Sequence, residues 1–296
     1  MIGIVEVGPR DGLQNESTAL PTADKVTFIE QLVAAGARRV EIVSFAHPVR
    51  VPQMADAEAV AEHFAGRYDF SRIGLVMNER GWQRAQQVEL DEVNIPVGAT
   101  DGFNRANVAA GPVETVDLIR AVVMESPVPV TGTISVAFGC PYEGEVDEAV
   151  VVELARSLAA AGCAEIAIAD TIGVADPWTV RRRLAMVREV TGDIPLRVHF
   201  HDTRNTGIAN SVAALDAGVE ALDSSVGGIG GCPFAPNATG NIASEDLVYM
   251  LQRAGHDPGL DLERLMETGR WVGERLDITP PSALLRSGGF PAPRSA

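Results

Sequence analysis

His199-Phe200-His201-Asp202 closes the apolar run Ile194-Pro195-Leu196-Arg197-Val198. In a strand, residues i and i+2 share a face, so both imidazoles would point the same way. Taken alone the pair reads more simply as a polar strand end. Its company changes that, because Asp11 follows the strand-like run Ile2–Val7 and Asn241 closes a Gly-rich loop after the run Ala221–Val226. Asp11, His199, His201 and Asn241 together make a mixed oxygen and nitrogen set suited to Mg2+ or Mn2+, with Co2+ or Zn2+ as alternatives, and with positions left for substrate. Such a cation chelates a hydroxyl and a neighbouring carbonyl oxygen and lowers the hydroxyl pKa, the first step of a retro-aldol or retro-Claisen cleavage. The enolate left by cleavage needs a positive partner, which Arg10 is placed to supply. It also needs a proton, and Cys232 donates it if its Gly-rich loop closes over substrate. A small apolar loop residue is the equal alternative for Cys232. Glu41 sits mid-strand among apolar neighbours, where a carboxylate is costly unless paired, so contact with Arg10 is expected. Asp170 either bonds Arg10 or the metal shell, or serves as a helix N-cap before Ile172-Gly173. Gln14 and Ser44, at the ends of the first two strands, and Cys140 after the fifth are candidate substrate contacts. Asn78, after the third, is a turn residue or a further contact.

These residues are useful only if the chain brings strand ends together. Short β-rich runs alternate with longer Ala/Leu/Arg/Glu segments of helical period, the pattern of parallel strands with crossover helices. Eight units are counted, with strands at Ile2–Val7, Arg39–Ser44, Arg72–Met77, Glu92–Val97, Val130–Ala137, Glu165–Ala169, Leu196–His201 and Ala221–Val226. Gly8-Pro9-Arg10-Asp11-Gly12 does not match a dinucleotide loop, which argues against a doubly wound sheet. The expectation is an α/β protein, a (β/α)8 TIM barrel with an extra C-terminal helix over Leu260–Leu276, whose active site lies at the carboxyl ends of the strands. One domain, 1–278, is followed by a short flexible tail, 279–296. Trp82, Trp178 and Trp271 fall on helices and read as packing.

Composition narrows the partners. With 46% hydrophobic and 22% charged residues the balance is that of an ordinary globular domain, and the net charge of -16 repels nucleic acid and anionic membrane surfaces. No apolar run reaches membrane-spanning length, and Met1–Val7 runs straight into a strand, so the expectation is a cytoplasmic protein. Cys140, Cys163 and Cys232 lack zinc-type spacing and read as reduced thiols, Cys163 as a buried one. Lys25 is the sole lysine. Its place in the first turn of a helix reads as a solvated charge, which makes imine aldolase chemistry improbable.

Five longer motifs then carry a resemblance. They are Val5–Glu16, Val51–Asp56, Gly139–Gly144, Asp170–Gly173 and the stretch from Cys232 through Asn241 to Met250. In order and spacing they resemble 3-hydroxy-3-methylglutaryl-CoA (HMG-CoA) lyase, over nearly the whole barrel. The resemblance implies an acyl-CoA thioester substrate cleaved to acetyl-CoA and acetoacetate, and a divalent metal on Asp11, His199, His201 and Asn241. It implies Arg10 polarising the thioester carbonyl, Cys232 and His199 in proton transfer, and Glu41 and Asp170 supporting the site. Citramalyl-CoA or a longer branched analogue is the alternative substrate. Bond-forming relatives of the same superfamily share the Arg-Asp and His-x-His positions but carry long carboxyl-terminal regions. Departures touch the acyl site: Arg204-Asn205-Thr206 stands where the family has Tyr-Gly-Gln, and Ala167-Ile168-Ala169 where it has Ser-Leu-Gly. Arg204 is therefore a candidate substrate contact, and Arg50 and Arg105 are candidates for the coenzyme. A homodimer is expected.

Overall fold

The computed structural model describes residues 2–231 and 240–291. The chain runs β1 (Gly3–Glu6), α1 (Thr22–Ala34), β2 (Arg39–Ser44), α2 (Ala57–His63), β3 (Ser71–Leu75), α3 (Glu79–Ala85), β4 (Glu92–Gly98), α4 (Asp101–Val108), α5 (Pro112–Glu125), β5 (Val130–Ser135), α6 (Glu148–Ala161), β6 (Glu165–Asp170), α7 (Pro177–Thr191), β7 (Leu196–Phe200), α8 (Gly207–Asp216), β8 (Ala221–Ser224), α9 (Ser244–Arg253), α10 (Leu262–Leu276) and α11 (Ala283–Ser287). The strands form a closed parallel barrel in sequence order, with β1 pairing β8 at Gly3↔Ala221. This is the TIM barrel the alternation predicts. No described helix is long and apolar enough to cross a membrane.

Local signals set the helix ends. Asp176 accepts hydrogen bonds from the backbone N–H groups of Trp178 and Thr179 at the start of α7, with Pro177 in the first turn. Gly162 ends α6 at φ +90°, a left-handed conformation that only glycine adopts without cost.

The main apolar core lies between the sheet and its ring of helices. Inside the barrel, every second strand residue points inward, and the filling is unusually polar. At the amino-terminal end Arg39 spans from β2 to Glu92 of β4 at 2.5 Å and to Glu165 of β6 at 3.0 Å. These strands are not neighbours, so the contacts cross the barrel axis. Arg197 is fully buried beside them, 3.3 Å from Glu165 and 3.5 Å from Asp223. A small apolar group, Val5, Val7, Ile73 and Ala221, fills the barrel on the β1 side.

Buried acids tie the first and last strands into the loops above them. Glu6 Oε1 accepts the backbone N–H groups of Gly8 (2.8 Å) and Val226 (3.0 Å), and its Oε2 accepts the Ser244 hydroxyl at 2.5 Å. Glu245 accepts the Gly227 N–H at 3.0 Å. Burial pushes both carboxyls up to about 7 from 4.5, against the pull of those donors. A group whose folded pKa is raised contributes stability below its unfolded pKa and loses it as pH rises through the folded value. Unfolding free energy is therefore expected to fall between pH 5 and pH 8, with Glu6 contributing on the order of 2 kcal/mol. Urea titrations of wild type and Glu6→Gln at both pH values check this. The drop should shrink in the variant, and an equal drop in both would refute the assignment.

Two expectations are corrected. Lys25 is buried and not solvated: its Nζ lies 2.5 Å from both the Gln53 carbonyl and Asp56 Oδ1, because its face of α1 turns toward the segment before α2. Trp178 does not pack, being 73% exposed on the first turn of α7, whereas Trp82 is buried and Trp271 lies against Phe28. In the segment from 279, residues Ala283–Ser287 form α11. Asp246 of α9 accepts the Ser282 hydroxyl and the N–H groups of Ala283 and Leu284, docking this helix on the barrel.

Candidate active site

A cavity of about 200 Å3 opens at the carboxyl ends of the strands, lined by Arg10, Asp11 and Gln14 from the first loop, by alternate residues of β3 to β8 and by Phe103 and Asn107 of α4. The period of 2 explains the set: Asn94 and Pro96, Thr133 and Ser135, and His199 and His201 each belong to one inward row. Asp11 is held by a single wide turn, Gly8–Gly12, in which the N–H groups of Arg10, Asp11 and Gly12 all converge on the Val7 carbonyl.

Asp11, His199 and His201 each offer a ligand atom within 4.8 Å of the others. His199 Nε2 stands 3.8 Å from Asp11 Oδ2, and the two imidazole centroids are 5.1 Å apart. The other ring nitrogen of His199 faces Asp223 Oδ2 at 3.2 Å, which fixes the ring and leaves Nε2 for the cavity. His201 Nδ1 is buried without a hydrogen-bond partner among the described residues. One carboxylate, two imidazoles and an orphaned buried nitrogen fit a divalent cation of the borderline class. Asn241 is brought to the same place, opposite His201 in an isolated bridge. Its Nδ2 donates to Asp11 Oδ2 at 2.9 Å and to the Ile229 carbonyl at 3.2 Å, so its amide must turn over to present oxygen to a cation.

Charge is sorted sharply here. Burial would raise the Asp11 carboxyl, but Arg10 beside it, the two imidazoles and the Asn241 amide hold it well below the usual carboxylate range. Burial would lower His199, yet Asp223 and Asp11 outweigh it and the ring is raised. Burial and the neighbouring His199 push His201 down to about 3, so it stays neutral. Cation binding then competes with one proton, on His199. Removing the carboxylate behind that ring should weaken binding, and Asp223→Asn is expected to lower Mn2+ affinity about 10- to 100-fold. Calorimetric titration of both proteins measures it, and equal affinities would refute the role.

Arg10 is buried and doubly paired. Its Nη2 donates to Glu41 Oε2 at 2.7 Å and its Nη1 to Asp11, so the expected Arg10–Glu41 contact is present. Gln14 lines the cavity with a buried Oε1 that lacks a partner. Asp170 does not reach Arg10. Nor does it cap a helix, since Asp176 is the N-cap of α7; it accepts the N–H groups of Val174 (3.0 Å) and Ala175 (2.8 Å) and so holds the turn after β6.

Four sequence candidates for substrate contact are not among the residues lining the cavity. Ser44 accepts the Ala46 N–H at 3.3 Å. Asn78 caps α3 through the Gly81 N–H at 3.0 Å. Cys140 is buried with its sulfur 3.0 Å from the Thr100 hydroxyl. Arg204 turns back onto the carbonyls of Ile172 (2.8 Å) and Gly173 (3.0 Å). In each case a nearby backbone or hydroxyl group satisfies the side chain. Arg105 pairs with Asp101 at 2.7 Å on exposed α4. Cys232 lies outside the described residues. Sequence reasoning missed Asp223, Asn94 and Thr133, though a polar residue on the inward row of a buried strand marks each of them.

Comparisons with known proteins find relatives along nearly the whole chain. The family model described as HMGL-like matches residues 1–272. Hydroxymethylglutaryl-CoA lyase of Bacillus subtilis is 36% identical over 288 residues, 96% of this chain and 96% of that protein. The (R)-citramalyl-CoA lyase of Chloroflexus aurantiacus is 38% identical over 300 aligned residues, covering 97% of this chain and 95% of that one. Among solved structures, an HMG-CoA lyase from Acinetobacter baumannii in complex with coenzyme A and 3-methylmalate has a TM-score of 0.93 at 35% identity, covering 99% of this chain and 98% of that chain.

Proposed function

The chain belongs to the HMGL-like family and is a lyase, and from that premise we propose that it cleaves HMG-CoA to acetyl-CoA and acetoacetate, using a divalent cation held by Asp11, His199, His201 and Asn241. The convergence of Asp11 and the two imidazoles within 4.8 Å, beside a buried arginine, carries this reading. When bound, the cation supplies Lewis acidity that favours loss of the C3 hydroxyl proton.

The remaining work falls to side chains. The C2–C3 bond breaks as C3 becomes the ketone of acetoacetate, and its electron pair passes to C2 as the enolate of acetyl-CoA. Arg10, locked on Glu41 and Asp11, keeps guanidinium protons aimed into the cavity to meet the thioester oxygen as its charge grows. His199, its Nδ1 held on Asp223, would seat the cation through Nε2, and the Asp11 carboxylate beside it is the group with oxygens to accept the hydroxyl proton. C2 must regain a proton, the role assigned to Cys232. Asp170 shapes the loop after β6 that walls this space.

A second reading is cleavage of citramalyl-CoA to acetyl-CoA and pyruvate, supported by the similarity to the Chloroflexus enzyme. Incubation with each thioester and Mg2+ or Mn2+, followed by assay of acetyl-CoA and of the keto acid, tests both. Acetoacetate formed at the higher kcat/KM supports the first reading. Preference for citramalyl-CoA supports the second, and release from neither substrate overturns both.

A further inference from the structure

Behind Arg10 stands a line of buried polar groups that the lyase reading does not use. Thr133 of β5 donates its hydroxyl proton to Asn94 Oδ1 of β4 at 2.7 Å. Asn94 Nδ2 donates to Glu41 Oε1 of β2 at 3.1 Å. The other oxygen of Glu41 accepts Arg10 Nη2 at 2.7 Å. Thr133, Asn94 and Glu41 occupy inward strand positions, and Asn94 and Glu41 are almost fully buried.

We propose that Asn94 and Thr133 are positioning residues for Arg10, a Thr133–Asn94–Glu41 chain that fixes where the guanidinium points. The proposal rests on the reading that Arg10 meets the thioester oxygen. Its polarity is determined at each link. An ionised carboxylate accepts only, so Asn94 must turn its NH2 toward Glu41 and its oxygen toward β5. Thr133 can then only donate to that oxygen, its hydroxyl following the amide orientation that Glu41 sets. Both oxygens of Glu41 are thereby engaged and its carboxylate plane is fixed.

Arg10 needs this support because, among the described residues, its Nε is buried without a partner and the guanidinium is held through its two terminal nitrogens. One of them leads to Asp11 and the other to Glu41. A Glu41 free to rotate would release one of the two anchors. The chain also spans the barrel: β4 and β5 lie opposite β8 and β1 in the closed order. The far wall of the cavity is thus mechanically tied to the group beside the candidate metal ligands.

The test uses Asn94→Leu and Thr133→Val, which keep the branched side-chain shape and remove the polar links, with Thr133→Ser as the conservative control. For Asn94→Leu, kcat for HMG-CoA cleavage is expected to fall about 10- to 100-fold, and for Thr133→Val about tenfold. KM should change little and Thr133→Ser should restore the wild-type rate. Crystal structures of the two variants give a readout independent of turnover. The Arg10–Glu41 contact should open beyond about 3.5 Å in Asn94→Leu. Wild-type kcat together with an unmoved Arg10 in Asn94→Leu would overturn the proposal, and if that variant does not fold, the same outcome in Thr133→Val would do so. A wild-type protein that leaves HMG-CoA intact, with Arg10 displaced in the variant crystals, would overturn the substrate reading and leave the positioning chain standing.

Discussion

Asp11→Ala is expected to reduce HMG-CoA cleavage to background, a loss of roughly 10^4-fold at saturating Mn2+. The figure follows from the several kcal/mol that a Lewis acid contributes to the stabilisation of developing charge, at about 1.4 kcal/mol per factor of ten. Asp11 is the only anion among the grouped ligand atoms of the described site. Without it, two imidazoles and an amide would have to hold a dication next to the guanidinium of Arg10, which would repel it. The fold should survive, because Arg10 keeps Glu41 as a partner. Acetyl-CoA release, with Mn2+ binding measured on the same preparation, checks the prediction. Activity within tenfold of wild type would show that Asp11 holds no catalytic cation.

Arg10→Gln should produce the next largest effect, a fall in kcat of about 10^2- to 10^3-fold, the usual loss when one preorganised donor to a developing oxyanion is removed. A second consequence separates this residue from a purely electrostatic contributor. Glu41 is 1% exposed and would lose its cation, so the variant should also unfold about 3 to 5 kcal/mol more easily. The double variant Arg10→Gln/Glu41→Gln should regain much of that stability and none of the activity. Denaturant titrations and steady-state kinetics on the three proteins check both halves. Recovery of turnover in the double variant would contradict the role given to Arg10.

Much of this arrangement was legible from residue order. The inward row His199/His201 follows from the strand period, and Asp11 and Arg10 from their place after a strand. Glu41 was readable because an acid among apolar strand neighbours demands a cation, and Arg10 provides it at 2.7 Å. The loops were less legible for a physical reason. Ser44, Asn78 and Arg204 can satisfy nearby backbone groups as readily as a substrate, and nothing in a linear sequence tells which way a loop side chain turns. Cys140 was misplaced in the same way, its sulfur meeting Thr100. The polar filling of the barrel was hidden because Arg39, Glu92, Glu165 and Arg197 meet only across the axis. Those partners depend on register and closure. Lys25 shows a related limit: helical period gives a face, but not the neighbour that covers it.

The similarity to both an HMG-CoA lyase and a citramalyl-CoA lyase puts the acyl group at the centre of substrate choice. Part of the cavity wall, Asn94, Thr133, Ser135 and Ala169, is small or polar. Asn94 is at once the wall and the link to Glu41, so substitutions that retune substrate preference at that position should also change kcat.

The account turns on one cation seated among Asp11, His199 and His201, and anomalous diffraction from crystals grown with saturating Mn2+ measures that directly. The account predicts a single strong peak in the cavity bonded to Asp11, His199 Nε2 and a nitrogen of His201, with His199 Nδ1 still on Asp223. A folded protein in saturating Mn2+ with no peak between these three side chains would contradict it.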